Sequence, residues 1–199
     1  MSLAEFQRAL GDLIASPVRC AKVRRLPGLA LAGYALTARA RERLLGMAGD
    51  PRMAMNCTLY RVNRLIPLHA VLPRSCRLLG SRLGGVLDAY FAGERDGTLQ
   101  FGMEASRFAQ WLAARHDTTP ALRDLLAFEL ACHAVISAAG EPERGDDPRR
   151  RTLALRHDIG ALLAAAEGEE PPPLPAPVLL ELDARGDALV LTLVEPANA

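Results

Sequence analysis

The sequence predicts an α+β fold, with a mainly helical N-terminal module over residues 1–140 and a small C-terminal β-α-β-β unit over residues 151–195 that ends in a β-hairpin. Three observations support this prediction. Apolar residues recur with helical spacing, between N-caps and prolines, through the first 140 residues. Residues 167–177 hold five prolines, which is typical of an extended spacer. Beyond that spacer, two short segments alternate with a period of two, as half-buried strands do.

The composition is that of a folded chain whose charge is unevenly distributed. Half of the 199 residues are hydrophobic, and the formal net charge of +1 disfavours a nucleic-acid-binding protein. Residues 141–199 carry twelve acidic and six basic side chains, so the basic excess belongs to the first 140 residues. Two modules with different partners would produce this asymmetry, and so would two modules that dock on each other.

Targeting signals and cysteine spacing point to a reducing compartment. The sequence lacks the apolar run of roughly 18 residues that a transmembrane helix requires. Charged residues within Met1–Ala15 exclude a secretory segment there. The cysteines are far apart and form no CxxC pair, as expected of reduced, mostly buried thiols: Cys20, Cys57, Cys76 and Cys132. We therefore expect a cytoplasmic protein with no membrane partner.

Caps and prolines place the predicted helices of the first module. Ser2 and Glu5 form a capping box before the first helix, and Pro17 is expected to end it. Residues 18–34 contain a proline and two glycines and are predicted to form an ordered loop. Further helices are predicted over Ala38–Met47 after Thr37, from Asp50–Pro51 to about Leu65, over Arg74–Leu79 before Gly80, over Val86–Phe91, over Glu104–Arg115, and from Thr119–Pro120 to about Ala139 before Gly140. The last of these has a predicted apolar face of Leu122, Leu125, Leu126, Leu130 and Ile136.

The second module is predicted to be a small sheet with one helix. Thr152–Arg156 is a candidate strand, and Asp158 caps a helix over Ile159–Ala166. Val178–Leu182 and Leu189–Val194 form a hairpin around a turn that contains Gly186. One face of the last strand carries Leu189, Leu191 and Leu193, and the other carries Val190, Thr192 and Val194. Such a sheet leaves an apolar edge strand, which is a template for another strand.

No recognisable catalytic motif is present. The sequence has no Walker A motif, no GxSxG, no dinucleotide-binding glycine pattern and no HExxH. The isolated histidines His69, His116, His133 and His157 are expected to be structural. We therefore expect no catalytic residue and no metal ligand in this chain, although a stand-alone enzyme with an unfamiliar site is an alternative.

The segment Met53–Arg64, MAMNCTLYRVNR, has the composition of a protein interface. At 100° per residue, Met55, Leu59, Val62 and Ile66 share one face, which is predicted to face the core. The opposite face carries Met53, Asn56, Tyr60, Asn63 and Arg64. Tyrosine and arginine contribute much of the energy at interfaces, so Asn56, Tyr60, Asn63 and Arg64 are candidate partner-binding residues. An ordinary solvated helix face is the alternative.

Several segments together resemble a known family. They are NCTLYRVNRL at Asn56–Leu65, LPRSCRLLG at Leu72–Gly80, AYF at Ala89–Phe91, the F-x-x-E-A-x-x-F-A-x-W-L block at Phe101–Leu112 and PALRDLLAFELA at Pro120–Ala131. The chain resembles the accessory subunits encoded beside multinuclear nonheme iron oxidative enzymes. Within that group it is most similar to the MbnC-like subunits of methanobactin biosynthesis, over roughly residues 1–195 and including the final hairpin.

The resemblance implies a non-catalytic role in a heterodimer. MbnC-like subunits carry no metal of their own and bind an MbnB-like TIM-barrel enzyme that holds the iron. They also bind the leader of an MbnA-like ribosomal precursor peptide. The complex oxidises peptide cysteines to an oxazolone with a neighbouring thioamide, which yields a copper chelator. On this expectation, no cofactor resides in this chain and nucleic acid is not a partner.

Two hypotheses follow for the sites. The leader adds as a strand to the hairpin strand Leu189–Val194, where backbone hydrogen bonds give affinity and alternate side chains give specificity. The polar face around Tyr60 docks on the iron enzyme. The rival is a DNA-binding transcriptional regulator with a winged unit in the tail. Its recognition helix would be Asp158–Ala166, which lacks the Arg, Lys, Asn or Gln that reads a groove.

Overall fold

The protein is described here from a computed structural model, which describes residues 3–94, 100–138, 147–185 and 188–194. The predictions that concern Ser2, Gly140, Gly186 and the linker residues 141–146 lie outside the described residues. Two compact units make up the chain. One comprises Met1–Leu65 and Val86–Gly97, and the other comprises Ile66–Gly85 and Thr98–Ala199. The division into these units does not coincide with the expected boundary between the two functional modules. The assignment of a separate role to each module therefore stays a prediction.

The first unit is built from helices. They are α1 (Leu3–Ala15), α2 (Pro17–Arg25), α3 (Pro27–Ala30), α4 (Ala38–Gly49) and the greater part of α5 (Arg52–Val71). Their buried faces share one cluster, centred on side chains such as Leu13, Val23, Leu44 and Cys57. As predicted, Thr37 caps α4, because its hydroxyl accepts a hydrogen bond from the Ala40 amide at 3.2 Å.

The predicted loop over residues 18–34 is wrong, because α2 and α3 lie within it. Helix α1 ends at Ala15, just before Pro17, as predicted, but Pro17 and Pro27 also occupy the first positions of α2 and α3. A proline at the first helical position costs nothing, since its missing N–H would have had no partner there. The Ser16 hydroxyl completes the start of α2 by accepting a hydrogen bond from the Arg19 amide at 3.2 Å.

Helix α5 continues through Pro67 to Val71, beyond the predicted end near Leu65. Pro67 provides no N–H for the carbonyl one turn earlier, which normally ends or kinks a helix. The last turn is retained because Leu68 and Val71 are buried. Tertiary burial thus outweighs the local cost of the proline.

The second unit contains the remaining helices, in the order predicted. They are α6 (Pro73–Leu79), α8 (Phe101–Ala113), α9 (Pro120–Ala138) and α10 (Ile159–Ala164). After α6, a 3-10 turn leads into α7 (Leu83–Gly93), which begins in the second unit and lies mostly in the first. Gly80 ends α6 with a φ of 51°, a conformation that favours glycine. On α9, Leu122, Leu125 and Leu126 are buried as predicted, whereas Ile136 is exposed.

A three-stranded antiparallel sheet completes the second unit and confirms the predicted α+β class. Its strands are β1 (Arg150–Leu155), β2 (Val178–Asp183) and β3 (Val190–Val194), in the spatial order β1-β2-β3. In the β1–β2 ladder Leu153 lies opposite Leu180, and in the β2–β3 ladder Leu180 lies opposite Leu193. The β-α-β-β order and the hairpin are as predicted.

One face of the sheet packs on α9. Its core joins Phe128, Ala131 and Val135 of the helix to Leu155 of β1 and to Leu180 and Leu182 of β2. Leu189 is partly buried against the same core. Among the described residues, none of β3 itself belongs to that cluster, so the sheet projects past its helical support on the β3 side.

Candidate functional site

Strand β3 is an edge strand that is exposed along its whole length. It pairs with β2 alone among the described residues, and each residue from Val190 to Val194 is exposed. Its outer margin therefore offers backbone donors and acceptors for a further strand. A two-sided exposure of apolar residues is unusual for a strand in a sheet this small, which needs burial for stability.

The two faces of β3 differ in what surrounds them. Leu191 and Leu193 lie on the face that continues the core, yet Leu193 is 66% exposed because no helix among the described residues covers this end of the sheet. Val190, Thr192 and Val194 lie on the opposite face, as the sequence alternation predicted. A strand added beside β3 would cover part of both faces.

Ion pairs cover the polar face of the sheet beside β3. Arg150 of β1 pairs with Glu181 of β2, and the Arg185 guanidinium pairs with Asp183. Hydrogen bonds from Arg185 lower the pKa of the Asp183 carboxyl to about 2. These carboxylates, with Val190 and Thr192, line an open groove of about 450 Å³. Their negative charge is largely matched inside the sheet, so the groove itself is less acidic than the tail's composition suggests.

The predicted core face of α5 is wrong. Met55 is 64% exposed, Leu59 52% and Val62 41%, and Ile66 is exposed as well. Met53 and Cys57 are buried instead. Both sets of positions repeat every three or four residues, so helical periodicity allowed either face to be buried. Hydropathy favoured the apolar set, and tertiary contacts selected the other.

Arg64 is buried on the face of α5 that the sequence analysis assigned to a partner. Its side chain is 3% exposed, and its guanidinium carbon lies 4.9 Å from the Tyr90 ring centroid and 4.7 Å from that of Phe91. Its Nη1 donates a hydrogen bond to the Glu94 carbonyl at 2.6 Å. Tyr60, half-buried, lies with its ring centroid 5.8 Å from the same guanidinium carbon. Arg64 thus fastens α5 to the end of α7 within the first unit.

The four candidate partner-binding residues therefore do not form one exposed surface. Asn56 and Asn63 are exposed and available to a partner, Tyr60 is half-buried and Arg64 is buried. The exposed apolar side chains of Met55, Leu59 and Val62 lie on the outward side of α5, which sequence reasoning assigned to the core. These residues are four and three positions apart, a spacing typical of a helix face that packs on another element. The spacing alone does not indicate whether that element belongs to the same chain.

Buried polar groups in the second unit have structural partners. Glu129 of α9 accepts hydrogen bonds from the amides of Arg74 and Ser75 at 2.7 and 2.9 Å, and from the Ser75 hydroxyl at 2.6 Å. It therefore caps the N-terminus of α6 from a neighbouring helix. Burial nevertheless raises the pKa of this carboxyl.

His157 is likewise held by a carboxylate. Asp124 Oδ2 lies 2.9 Å from His157 Nδ1 and accepts the amides of Arg156 and His157 at 2.7 and 3.0 Å. These contacts fix the turn after β1 to α9. Burial raises the pKa of the Cys76 thiol to about 12 and that of Cys132 to about 11, so neither thiol is activated.

Within the described ranges, no group of three or more His, Cys, Asp or Glu side chains is arranged to hold a metal ion. None of the described helices is long and apolar enough to span a bilayer. No protein-family model matches the chain, and no curated protein matches it.

Proposed function

We propose that this chain is a non-catalytic accessory subunit that recruits a precursor peptide to an iron-dependent oxidative enzyme. In the form that the sequence resemblance suggests, the partner is an MbnB-like TIM-barrel enzyme and the peptide is MbnA-like. The partner supplies iron and oxidises peptide cysteines to oxazolone and thioamide groups. This chain supplies positioning, which converts cysteine capture into an intramolecular event at an effective concentration of the order of millimolar.

One observation carries the proposal: β3 is an open edge strand, exposed on both faces and rich in apolar side chains. Strand addition at such an edge gains main-chain hydrogen bonds that do not depend on sequence. Specificity then comes from alternate side chains, which contact Leu191 and Leu193 on one face and Val190, Thr192 and Val194 on the other. A leader with alternating apolar residues fits this edge.

The outward side of α5 is the surface we assign to the iron enzyme. It combines the amides of Asn56 and Asn63 with the apolar side chains of Met55 and Leu59. An apolar patch bordered by directional hydrogen-bonding groups is the usual anatomy of a protein interface. Arg64 contributes to this surface indirectly, because it holds α5 in place from the buried side.

The test of peptide recruitment is a charge placed on the open face of β3. Leu193→Lys puts an ammonium group where an added strand would cover it, and we expect leader binding to weaken at least tenfold. Leu3→Lys is the matched control, since Leu3 is 64% exposed and lies on α1. Binding is measured by fluorescence anisotropy with a labelled leader, and hydrogen exchange locates the peptide on the chain.

Three outcomes contradict this proposal. Protection of the helical unit by the leader, with the β3 amides unaffected, places the peptide elsewhere. Failure of the chain to form a stable one-to-one complex when co-expressed with an MbnB-like iron enzyme removes the accessory role. A third measurement, turnover of the peptide by the isolated chain loaded with iron, would make it an enzyme in its own right.

A further inference from the structure

A second open margin of the sheet has a different chemistry. On the side away from β3, a groove of about 620 Å³ runs between α8, α9 and β1. Its walls are mostly small or apolar side chains, among them Met103, Ala127, Leu130 and Leu153. Of the three strands, only β1 lines this groove, so it lies beyond the free margin of β1 on the helix-covered face of the sheet.

The floor of the groove is shaped by a close contact between two helices. The imidazole of His133 on α9 lies against Gly102 on α8, where a Cβ atom would stand 2.8 Å from His133 Nε2. Glycine at this position thus leaves room for the ring inside the groove. The volume is within the range of about 300–1,000 Å³ that is typical of ligand pockets.

The free margin of β1 and the side chain of Arg151 both border this groove, and neither has a partner among the described residues. β1 pairs with β2 on one side, and no described strand pairs with its other side. Arg151 of β1 is exposed at the groove, and no described acidic side chain pairs with it. By contrast, the neighbouring Arg150 points to the opposite face and pairs with Glu181.

These features together match one kind of occupant. A strand laid beside β1 would satisfy the free backbone groups, and its alternate side chains would fall over the groove. The side chain opposite Leu153 would meet an apolar wall, and the one opposite Arg151 would meet an unpaired cation. An acidic residue and an apolar residue two positions apart are therefore complementary to this margin.

We propose that the β1 margin binds an extended peptide segment of another polypeptide, which places an apolar side chain in the groove and a carboxylate on Arg151. The segment runs antiparallel to β1, with the apolar residue two positions before the acidic one. This site goes beyond the proposed function, because it requires neither the iron enzyme nor the leader bound at β3.

The probe is the synthetic peptide acetyl-Thr-Val-Thr-Leu-Thr-Glu-Thr-amide, used with the full chain. A second peptide carries Lys in place of Glu, and a third places Leu and Glu on opposite faces. We expect saturable binding of the first peptide by calorimetry, and binding at least tenfold weaker for the other two. Hydrogen exchange should show protection of β1 and not of β3.

Two variants assign the contact to this groove. Arg151→Glu, at an exposed position, should reverse the preference so that the Lys peptide binds better than the Glu peptide. Ala127→Trp, on the exposed side of α9, should fill the groove and lower the affinity at least tenfold, whereas Ala38→Trp on α4 should leave it unchanged. Circular dichroism of each variant verifies folding before binding is measured.

The inference is overturned if the Glu peptide does not bind at millimolar concentration, or if it binds Arg151→Glu and wild type equally. It is also overturned if the peptide protects β3 instead of β1. Leader binding to the same preparation is measured in parallel. Loss of acidic-peptide binding with leader binding intact refutes the β1 site alone, and the reverse result refutes the proposed function alone.

Discussion

Replacement of Arg64 by methionine separates a structural role from a docking role. The side chain is 3% exposed, donates to the Glu94 carbonyl at 2.6 Å and stacks over the rings of Tyr90 and Phe91. Methionine is unbranched and fills similar space without charge. The variant therefore removes the hydrogen bond and the cation–π contacts with little change in volume.

The expected cost follows from these contacts. A hydrogen bond from a charged donor contributes about 1.5–3 kcal/mol. Cation–π contacts with desolvated rings contribute on the order of 2 kcal/mol. Methionine offsets part of this loss, because burying the arginine charge required its desolvation. We therefore expect Arg64→Met to lower the free energy of unfolding by about 2–3 kcal/mol.

Urea denaturation followed by circular dichroism measures this change, with Asn63→Ala as the control at an exposed neighbouring position. The control should shift the free energy of unfolding by less than about 0.5 kcal/mol. If Arg64→Met is as stable as the control but no longer co-purifies with the proposed iron-enzyme partner, Arg64 is a direct partner contact and the structural reasoning fails.

Two further predictions concern Glu129 and Cys132 of the second unit. Glu129→Ala leaves the Arg74 and Ser75 donors without their acceptor and should lower the free energy of unfolding by about 3 kcal/mol in urea denaturation. Glu129→Gln should lower it less, because glutamine keeps one acceptor oxygen. Equal losses for the two variants would contradict the capping role. The Cys132 thiol has its pKa raised from 9.0 to about 11 in the folded chain, so unfolded thiol ionises first and stability present below pH 9 is lost as the pH rises towards 11. Stability measurements from pH 8 to pH 11 should therefore show that the wild type loses stability relative to Cys132→Ala as the pH rises, and a difference that does not change with pH would refute this reasoning.

Local signals in the sequence were sufficient for the fold class and the hairpin. Thr37 and Asp158 cap helices through their side chains, and each binds the amide three residues further along the chain. Such a cap can be identified from the sequence alone. The alternation of Leu191, Thr192 and Leu193 sets the two faces of β3 in the way that the pleat requires. These features depend on neighbours in the chain and need no knowledge of distant contacts.

Features that depend on distant contacts could not be predicted. The start of α2 is an exception, because its signal is local: Ser16 stands before Pro17 and accepts the Arg19 amide, yet sequence reasoning used Pro17 only as the end of α1. The buried face of α5 includes Arg64, which contacts the rings of Tyr90 and Phe91. These aromatic residues lie more than twenty residues further along the chain, so the contact cannot be read from the local sequence. Apolar Met55 and Leu59 gave the stronger sequence signal and were assigned to the wrong face.

The support under β3 has a consequence for the kinetics of recognition. Because the described helical core ends at β2, β3 is held mainly by a single hydrogen-bonded ladder, and we expect it to open locally before the rest of the unit unfolds. An incoming strand would give β3 a second ladder, so capture and local ordering would occur in one step. The lifetime of the captured complex would then be set by fraying of the terminal ladder.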